Sequence, residues 1–290
     1  MKAKRNDENL GRRSFLAQSG LVATGVGMGA FGLNASLEAG ADEGSAGQSW
    51  PWPYKELDVE LVRKRGHAYY YQGGCMYGAS GGLLSVLRDE LGAPYTGFPH
   101  DMLRYGGGGI AGWGTVCGSL NGACAMITLT AGKAYGKITN ELMAWYTTTP
   151  FPSDTANGYA ARHEYLVEEY KTDAVLPTTV SNSPLCHVSV NTWCRATGFA
   201  SGSKQRAERC ARLTGDVAAK AAELLNAHAR GELVTGSFER GECNSCHFMG
   251  ENFESGQFII GKGNNCTDCH GGDPHGDIEL PELAQAQPRT

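Results

Sequence analysis

The chain lacks the signatures of several large enzyme classes. It has no Ser/His/Asp pattern of a hydrolase, no Walker loop, and no G-x-G-x-x-G that follows a predicted strand. The glycine run from Gly106 to Gly109 is not followed by Lys-Ser or Lys-Thr, so it does not predict a phosphate-binding loop. These absences leave no predicted catalytic residue, and the sequence is not interpreted as that of an enzyme.

Excess positive charge and long apolar runs are also missing. The formal net charge of the 290 residues is −5, which argues against a nucleic-acid partner and favours solubility or a basic redox protein as partner. Outside the N-terminal segment, no stretch is long and apolar enough to predict an integral membrane helix.

The N-terminus has the features of an export signal. Gly11 to Leu16 contains the paired arginines of the twin-arginine route, and a weakly apolar segment from Leu21 to Leu33 follows it. Ala39-Gly40-Ala41 offers an A-x-A cleavage site. The sequence therefore predicts a signal peptide over residues 1–41 and a periplasmic protein, with an uncleaved membrane anchor as the alternative.

Two short motifs near the C-terminus carry the strongest chemical signal. They are Cys243-Asn-Ser-Cys246-His247 and Cys266-Thr-Asp-Cys269-His270. C-x-x-C-H attaches c-type heme through two thioether bonds, and its histidine is the proximal iron ligand. The four cysteines also fit a zinc ribbon, but a ribbon does not require either histidine. We therefore interpret residues 231–290 as a loop-rich tail that carries two c-type hemes.

The core, residues 42–230, is predicted to be helical. Apolar spacing and breakers place helices over Leu57–Tyr71, Cys75–Leu91, Thr115–Thr130, Lys137–Tyr146, Arg162–Tyr170 and Lys204–His228. The Gly73-Gly74 pair is expected to break the chain between the first two helices. Phe151–Tyr159 is predicted as a loop and Ala174–Ser183 as extended chain, so the expected fold class is all-α.

Several of these features together resemble the split-Soret cytochromes c, and the core resembles the broader family named for a C–GCAxxG–C–C cysteine pattern. The matching segments are the twin-arginine leader, Gly74–Gly78, Gly112–Gly122, Trp193-Cys194, Arg209-Cys210 and both C-x-x-C-H motifs. The resemblance implies a helical-bundle core, a diheme tail, bis-histidine low-spin iron, a homodimer with its hemes at one end, and a further centre of iron–sulfur type on core cysteines.

Six cysteines remain outside the heme motifs, and their chemistry is open between disulfides, inert thiols and an iron–sulfur cluster. Export of folded protein and the glycines around Cys117 favour a cluster, with the [2Fe-2S] type preferred. Cys117, Cys194 and Cys210 are the first candidate ligands. Cys75, Cys186 and Cys124 compete for the fourth position, and Cys124 departs from the family, which usually has an apolar residue there.

Each heme iron also needs a sixth ligand. His187 is the first candidate, followed by His100 and His275, whereas His163 and His228 lie in polar stretches and are expected to be solvated. Met249 is an alternative ligand that would raise the reduction potential. With both axial positions filled, iron only cycles between Fe(III) and Fe(II), so the predicted function is electron transfer. The alternative is a small-molecule reductase with an open sixth position.

Overall fold

The structure is a computed structural model that describes residues 49–236. The predicted signal peptide, both C-x-x-C-H motifs and His275 lie outside the described residues. Within the described part, six α-helices and three short 3₁₀ segments account for the regular structure, and the prediction of an all-α fold is confirmed. None of the helices in residues 49–236 has the length and apolarity needed to cross a bilayer.

The longest helix, α1 (Val59–Leu91), contains the predicted glycine break as a kink. Asp58 caps its start by accepting from the backbone N–H groups of Glu60 and Leu61. Gly74 has φ 80° and ψ −165°, a conformation that residues with a side chain rarely adopt, so the helix changes direction there. The residue that begins the second half is Cys75, and its position therefore depends on this kink.

Four helices surround one apolar core. After α1 come α2 (Gly118–Ala131) and α3 (Tyr135–Thr148), and α6 (Lys204–Ala229) returns to pack along α1 and α2. The core includes Val62, Leu83, Leu84 and Leu87 of α1, Leu120, Met126 and Ile127 of α2, Ile138 and Leu142 of α3, and Leu213, Val217 and Leu225 of α6. Helices α1 and α6 approach so closely that a Cβ at Gly215 would lie 2.6 Å from the carbonyl oxygen of Arg63.

Two regions differ from the prediction. The predicted helix over Arg162–Tyr170 is wrong. Helix α4 (Asp154–Ala161) lies earlier, begins within the segment predicted as a loop, and ends before His163, which has a φ of 54°. Ser153 caps α4 by accepting from the N–H of Ala156. A further helix, α5 (Cys186–Thr197), was not predicted. Ala174–Ser183 contains no strand and contributes one isolated bridge, between Thr179 and Phe151.

Candidate metal centre

Four cysteines from distant parts of the chain come together at one end of the bundle. Cys75 follows the kink of α1, Cys117 precedes α2, Cys186 begins α5 and Cys210 lies in the second turn of α6. All four side chains are buried. Cys75 lies within electrostatic range of the other three. We call Cys75, Cys117, Cys186 and Cys210 the thiol cluster.

Backbone pairing holds two members of the thiol cluster side by side. Val116 and Leu185 form an isolated antiparallel bridge. The N–H of Cys117 donates to the Pro184 carbonyl at 2.8 Å, and the N–H of Cys186 donates to the Thr115 carbonyl at 2.7 Å. Because the bridge fixes both segments, helices α2 and α5 begin next to each other, and their N-terminal ends place partial positive charge at Cys117 and Cys186.

The glycine-rich loop at residues 106–109 also contacts the thiol cluster. The backbone N–H of Gly108 lies near enough to the sulfur of Cys75 to lower its pKa, against the larger rise caused by burial. A Cβ at Gly118 would lie 2.0 Å from the Gly106 carbonyl oxygen and 3.0 Å from the Cys75 Cβ. Only glycine fits at position 118, so the start of α2 can approach both the loop and α1.

The protein alone disfavours thiolates at this site. Burial raises the pKa of Cys75 well above its usual value, and the neighbouring thiols add to the rise. Burial and the neighbouring cysteines also raise the pKa of Cys186 to about 12. These thiols are protonated at neutral pH unless a metal displaces the protons, as metal binding to cysteine requires.

The arrangement does not converge on a single point. Within residues 49–236, no three His, Cys, Asp or Glu side chains are placed to hold one metal ion. A tetrahedral ion with metal–sulfur bonds of about 2.3 Å needs its sulfurs within roughly 4 Å of each other. A centre with several metal atoms binds its cysteines at different atoms and keeps them further apart, so the thiol cluster fits a polynuclear centre better than a zinc site.

The other two core cysteines occupy different surroundings. Cys194 is half-buried on α5, and Cys210, Arg206 and Arg209 are near enough to affect its pKa, which burial raises. It therefore lies at the rim of the thiol cluster. Cys124 lies beside Thr139 of α3, and no other cysteine of residues 49–236 affects its pKa, which burial raises to about 11. All six core cysteines are free thiols, with no disulfide between them in residues 49–236.

Cationic and donor groups line the cluster on the side of α6. Arg206 lies beside Cys210 and Cys75. Arg209 is 1% exposed and lies near Cys186 and Cys194. The hydroxyl of Tyr146, which is fully buried, lies near Cys117 and Arg209. The site therefore offers positive charge and hydrogen-bond donors to whatever the cysteines bind.

The candidate sixth heme ligands differ in their exposure and in the contacts that their ring nitrogens already make. His187 is exposed, and its Nδ1 donates to the Gly114 carbonyl at 2.8 Å, which leaves Nε2 with a free lone pair. His100 is buried, and its Nε2 lies 2.9 Å from the Ser80 hydroxyl and 3.1 Å from the Tyr77 carbonyl oxygen. His163 is exposed and pairs with Asp173, and His228 is half-buried near the end of α6.

A second polar region was missed by the sequence analysis. The Nε2 of His67 donates to Glu208 at 2.9 Å, Tyr71 donates to the same carboxylate, and the Nε of Arg212 donates to it at 3.1 Å. Arg212 also donates to Asn157 Oδ1 at 2.7 Å and to two backbone carbonyls. We call these five residues the carboxylate network. The only local signal is the i, i+4 spacing of Glu208 and Arg212 on a helix.

Comparison with known proteins places this geometry in a family. Residues 77–224 match the family model described as "Putative redox-active protein (C_GCAxxG_C_C)". The split-Soret cytochrome c of Desulfovibrio desulfuricans is 35% identical, over 91% of this chain and 95% of the relative. The chain belongs to the split-Soret cytochrome c family.

A solved structure of a split-Soret cytochrome c agrees with this assignment. That structure, described as "A novel iron centre in the split-Soret cytochrome c from Desulfovibrio desulfuricans ATCC 27774", is 36% identical and superposes with a TM-score of 0.62 over 76% of this chain and 90% of that one. The family-model match includes Cys117, Cys186 and Cys210 and begins two residues after Cys75. The predicted resemblance to the split-Soret cytochromes c is confirmed.

Proposed function

We propose that this chain is a periplasmic diheme c-type cytochrome that transfers electrons through two covalent hemes and an iron–sulfur centre held by the thiol cluster. The observation that carries the proposal is the proximity of four buried thiols in a chain that also contains two C-x-x-C-H motifs. The Desulfovibrio relative supports both parts, because it is named a cytochrome c and its solved structure is described as having a novel iron centre.

In this proposal each part of the chain has a separate task. Residues 1–41 direct twin-arginine export, residues 42–230 hold the iron–sulfur centre, and residues 231–290 carry the hemes on Cys243, Cys246, Cys266 and Cys269, with His247 and His270 as proximal ligands. The iron groups supply one-electron oxidation and reduction. The chain encloses the iron groups, stabilises their charge and presents them to a redox protein. It does so as a homodimer with the hemes gathered at one end.

The structure favours Cys75, Cys117, Cys186 and Cys210 as the ligand set of the centre. Of the three cysteines ranked first from the sequence, Cys117 and Cys210 belong to the thiol cluster and Cys194 lies at its rim. We propose Cys194 as a neighbour of the centre and assign no metal to Cys124, whose pKa no other described cysteine affects.

For the sixth heme ligand we propose His187. A metal-binding histidine usually donates its other ring N–H to a carbonyl or carboxylate, which fixes the ring and directs the free nitrogen at the metal. The 2.8 Å bond from His187 Nδ1 to Gly114 has this form, and the ring is exposed. Trp113, which precedes Gly114, is 83% exposed and offers an apolar surface in the same loop. His100 is buried, and its Nε2 is already in contact with Ser80 and Tyr77.

Iron and heme analysis of purified protein tests the two parts separately. We expect two hemes per chain and more iron than the hemes contain. The Cys117→Ser variant should lose the excess iron and keep both hemes. The Cys124→Ser variant should keep the excess iron and both hemes. Iron equal to heme in the wild type would refute the core centre, and protein without covalent heme would refute the cytochrome.

Axial ligation is tested by spectroscopy. His187→Ala should convert one heme to a form that binds carbon monoxide when reduced, and His228→Ala should leave the spectrum unchanged. Carbon monoxide binding by the wild type would instead favour a reductase with an open iron position over simple electron transfer.

A further inference from the structure

One buried arginine beside the thiol cluster has no counter-charge among the described residues. Arg209 is 1% exposed, and no carboxylate of residues 49–236 pairs with it. Its Nη2 donates to the Ser189 hydroxyl at 2.9 Å, and its Nε has no hydrogen-bond partner in the described part of the chain. The other buried arginines differ, because Arg63 pairs with Asp216 and Arg212 pairs with Glu208.

A second donor without a well-formed bond lies nearby. The hydroxyl of Tyr146 is fully buried and makes no hydrogen bond of good geometry among the described residues, although Ser189 and Cys117 are close to it. Arg209 also lies within electrostatic range of this hydroxyl. Two such buried donors at the same end of the bundle indicate a common acceptor that residues 49–236 do not provide.

Electrostatics define the kind of acceptor. A buried charge without a counter-charge destabilises the folded protein. The N-terminal ends of α2 and α5 add further positive potential beside Arg209. The region is therefore complementary to an anion of more than one atom. A thiolate-bound iron–sulfur centre, which has a net negative charge and sulfide acceptors, meets this requirement.

We propose that Arg209 and Tyr146 are positioning residues for the core centre, donating hydrogen bonds to its non-cysteine atoms, and that the Arg209 charge raises the reduction potential of the centre. This inference rests on the proposed function. Reduction adds one electron from a redox partner to an Fe(III) ion and makes no new bond. Because the reduced centre is one charge more negative, a buried cation stabilises it more than the oxidised centre.

The test uses the full-length protein as purified, with its hemes and core iron. In Arg209→Met, which keeps much of the volume but removes the charge, we expect the reduced-to-oxidised ratio of the centre at a fixed poise to fall at least tenfold. For one electron this is about 59 mV. Arg209→Lys, which keeps the charge, should recover most of the shift. Lys204→Gln removes an exposed charge from the start of the same helix and should change neither iron content nor potential.

Tyr146→Phe provides a second, independent variant. It should lower the potential in the same direction by less, because it removes a neutral donor and leaves the charge. It should also abolish any vibrational shift of the iron–sulfur bonds in heavy water that comes from this hydroxyl. A purely structural role of either residue would change the melting temperature without this ordered series of potentials.

The outcomes separate this inference from the proposal beneath it. Wild-type protein without excess iron would refute both the proposed iron centre and the proposed roles of Arg209 and Tyr146, the donor pair. Excess iron together with an unchanged potential in Arg209→Met or in Tyr146→Phe overturns the donor pair and leaves the centre in place. If Arg209→Met does not fold, an unchanged potential in Tyr146→Phe overturns the inference, and a lowered one supports it.

Discussion

Helix α6 contributes to two buried polar regions that differ in how their charges are paired. Glu208 and Arg212 belong to the carboxylate network, where a negative and a positive side chain share hydrogen bonds with α1 and with the segments before α5. Arg209 and Cys210, on the same two turns, face the thiol cluster, where positive charge has no negative partner within residues 49–236. The charges of the first region are balanced within residues 49–236, and the charge of the second is not.

This difference separates a stabilising polar core from a cofactor site. A buried charge that is fully hydrogen-bonded contributes to a defined fold, whereas a buried charge without partners costs stability unless something binds. Nδ1 of His67 in the network and the hydroxyl of the neighbouring Tyr165 have no hydrogen-bond partner among the described residues, but the two rings are stacked with centroids 3.7 Å apart. Among the described residues, no comparable contact compensates the charge of Arg209.

The largest effect should come from breaking the balanced region. Arg212→Met leaves the carboxylate of Glu208 buried without its guanidinium partner, so the free energy of unfolding should fall by about 3–5 kcal/mol. Urea unfolding of protein expressed without iron measures this value. Arg209→Met is the matched control and should be neutral or stabilising in the same iron-free protein, since it removes an unpaired charge. Equal losses in the two variants would show that the regions do not differ in this way.

Crowding the thiol cluster should lower the free energy of unfolding by about 1–3 kcal/mol. Gly118→Ala places a methyl group 2.0 Å from the Gly106 carbonyl oxygen, so the glycine-rich loop must move away from α2. We expect lower stability and loss of core iron, measured by unfolding and by iron analysis.

The matched control for this variant is Gly136→Ala on α3. A Cβ at Gly136 meets nothing within 4 Å, so the substitution should stabilise the protein by about 0.5–1 kcal/mol through helix propensity alone. Retention of full iron by Gly118→Ala would contradict the view that close backbone approach shapes the cluster.

The sequence predicted the elements that local patterns control. The apolar spacing of Leu213, Val217 and Leu225 predicted a helix over 204–228, and α6 spans Lys204–Ala229. The glycine pair predicted the break in α1, which lies at Gly74. In both cases the residues that determine the structure are within a few positions of it.

Long-range contacts explain what was not predicted. Helix α5 begins without a capping side chain, because the N–H of Cys186 is bonded to Thr115, about 70 residues earlier. The thiol cluster requires the same pairing, so spacing along the chain could not distinguish Cys75 and Cys186 from Cys124. The carboxylate network joins residues more than 100 positions apart, such as His67 and Glu208.

Acid should lower the free energy of unfolding through His67 of the carboxylate network. Burial lowers the pKa of His67, although Glu208 acts in the opposite direction. As the pH falls below about 6.5, the unfolded chain therefore binds a proton at this histidine that the folded protein excludes. Stability that is present above that pH is lost below it, with a slope of at most about 1.4 kcal/mol per pH unit for one proton.

Urea unfolding at pH 8, 7 and 5.5, with the ring signals of His67 and His100 followed by NMR, measures the acid effect. The two rings must be resolved because burial also lowers the pKa of His100, to about 4, with the same sign. A free energy of unfolding that does not change between pH 7 and pH 5.5 would show that His67 does not need to be neutral in the folded protein.

The smallest effect tests whether burial, and not charge alone, makes Arg209 important. Arg195 is exposed on α5, directly after Cys194, and it carries the same charge as Arg209. Water and salt screen an exposed charge, so Arg195→Gln should change the free energy of unfolding by no more than about 0.5 kcal/mol. The reduction potential of the core centre should also stay at its wild-type value, measured in the same titration as Arg209→Met. A potential shift equal to that of Arg209→Met would mean that any cation near α5 has the same effect. The contrast between the two regions of α6 would then reflect net charge and not the missing partner of one buried side chain.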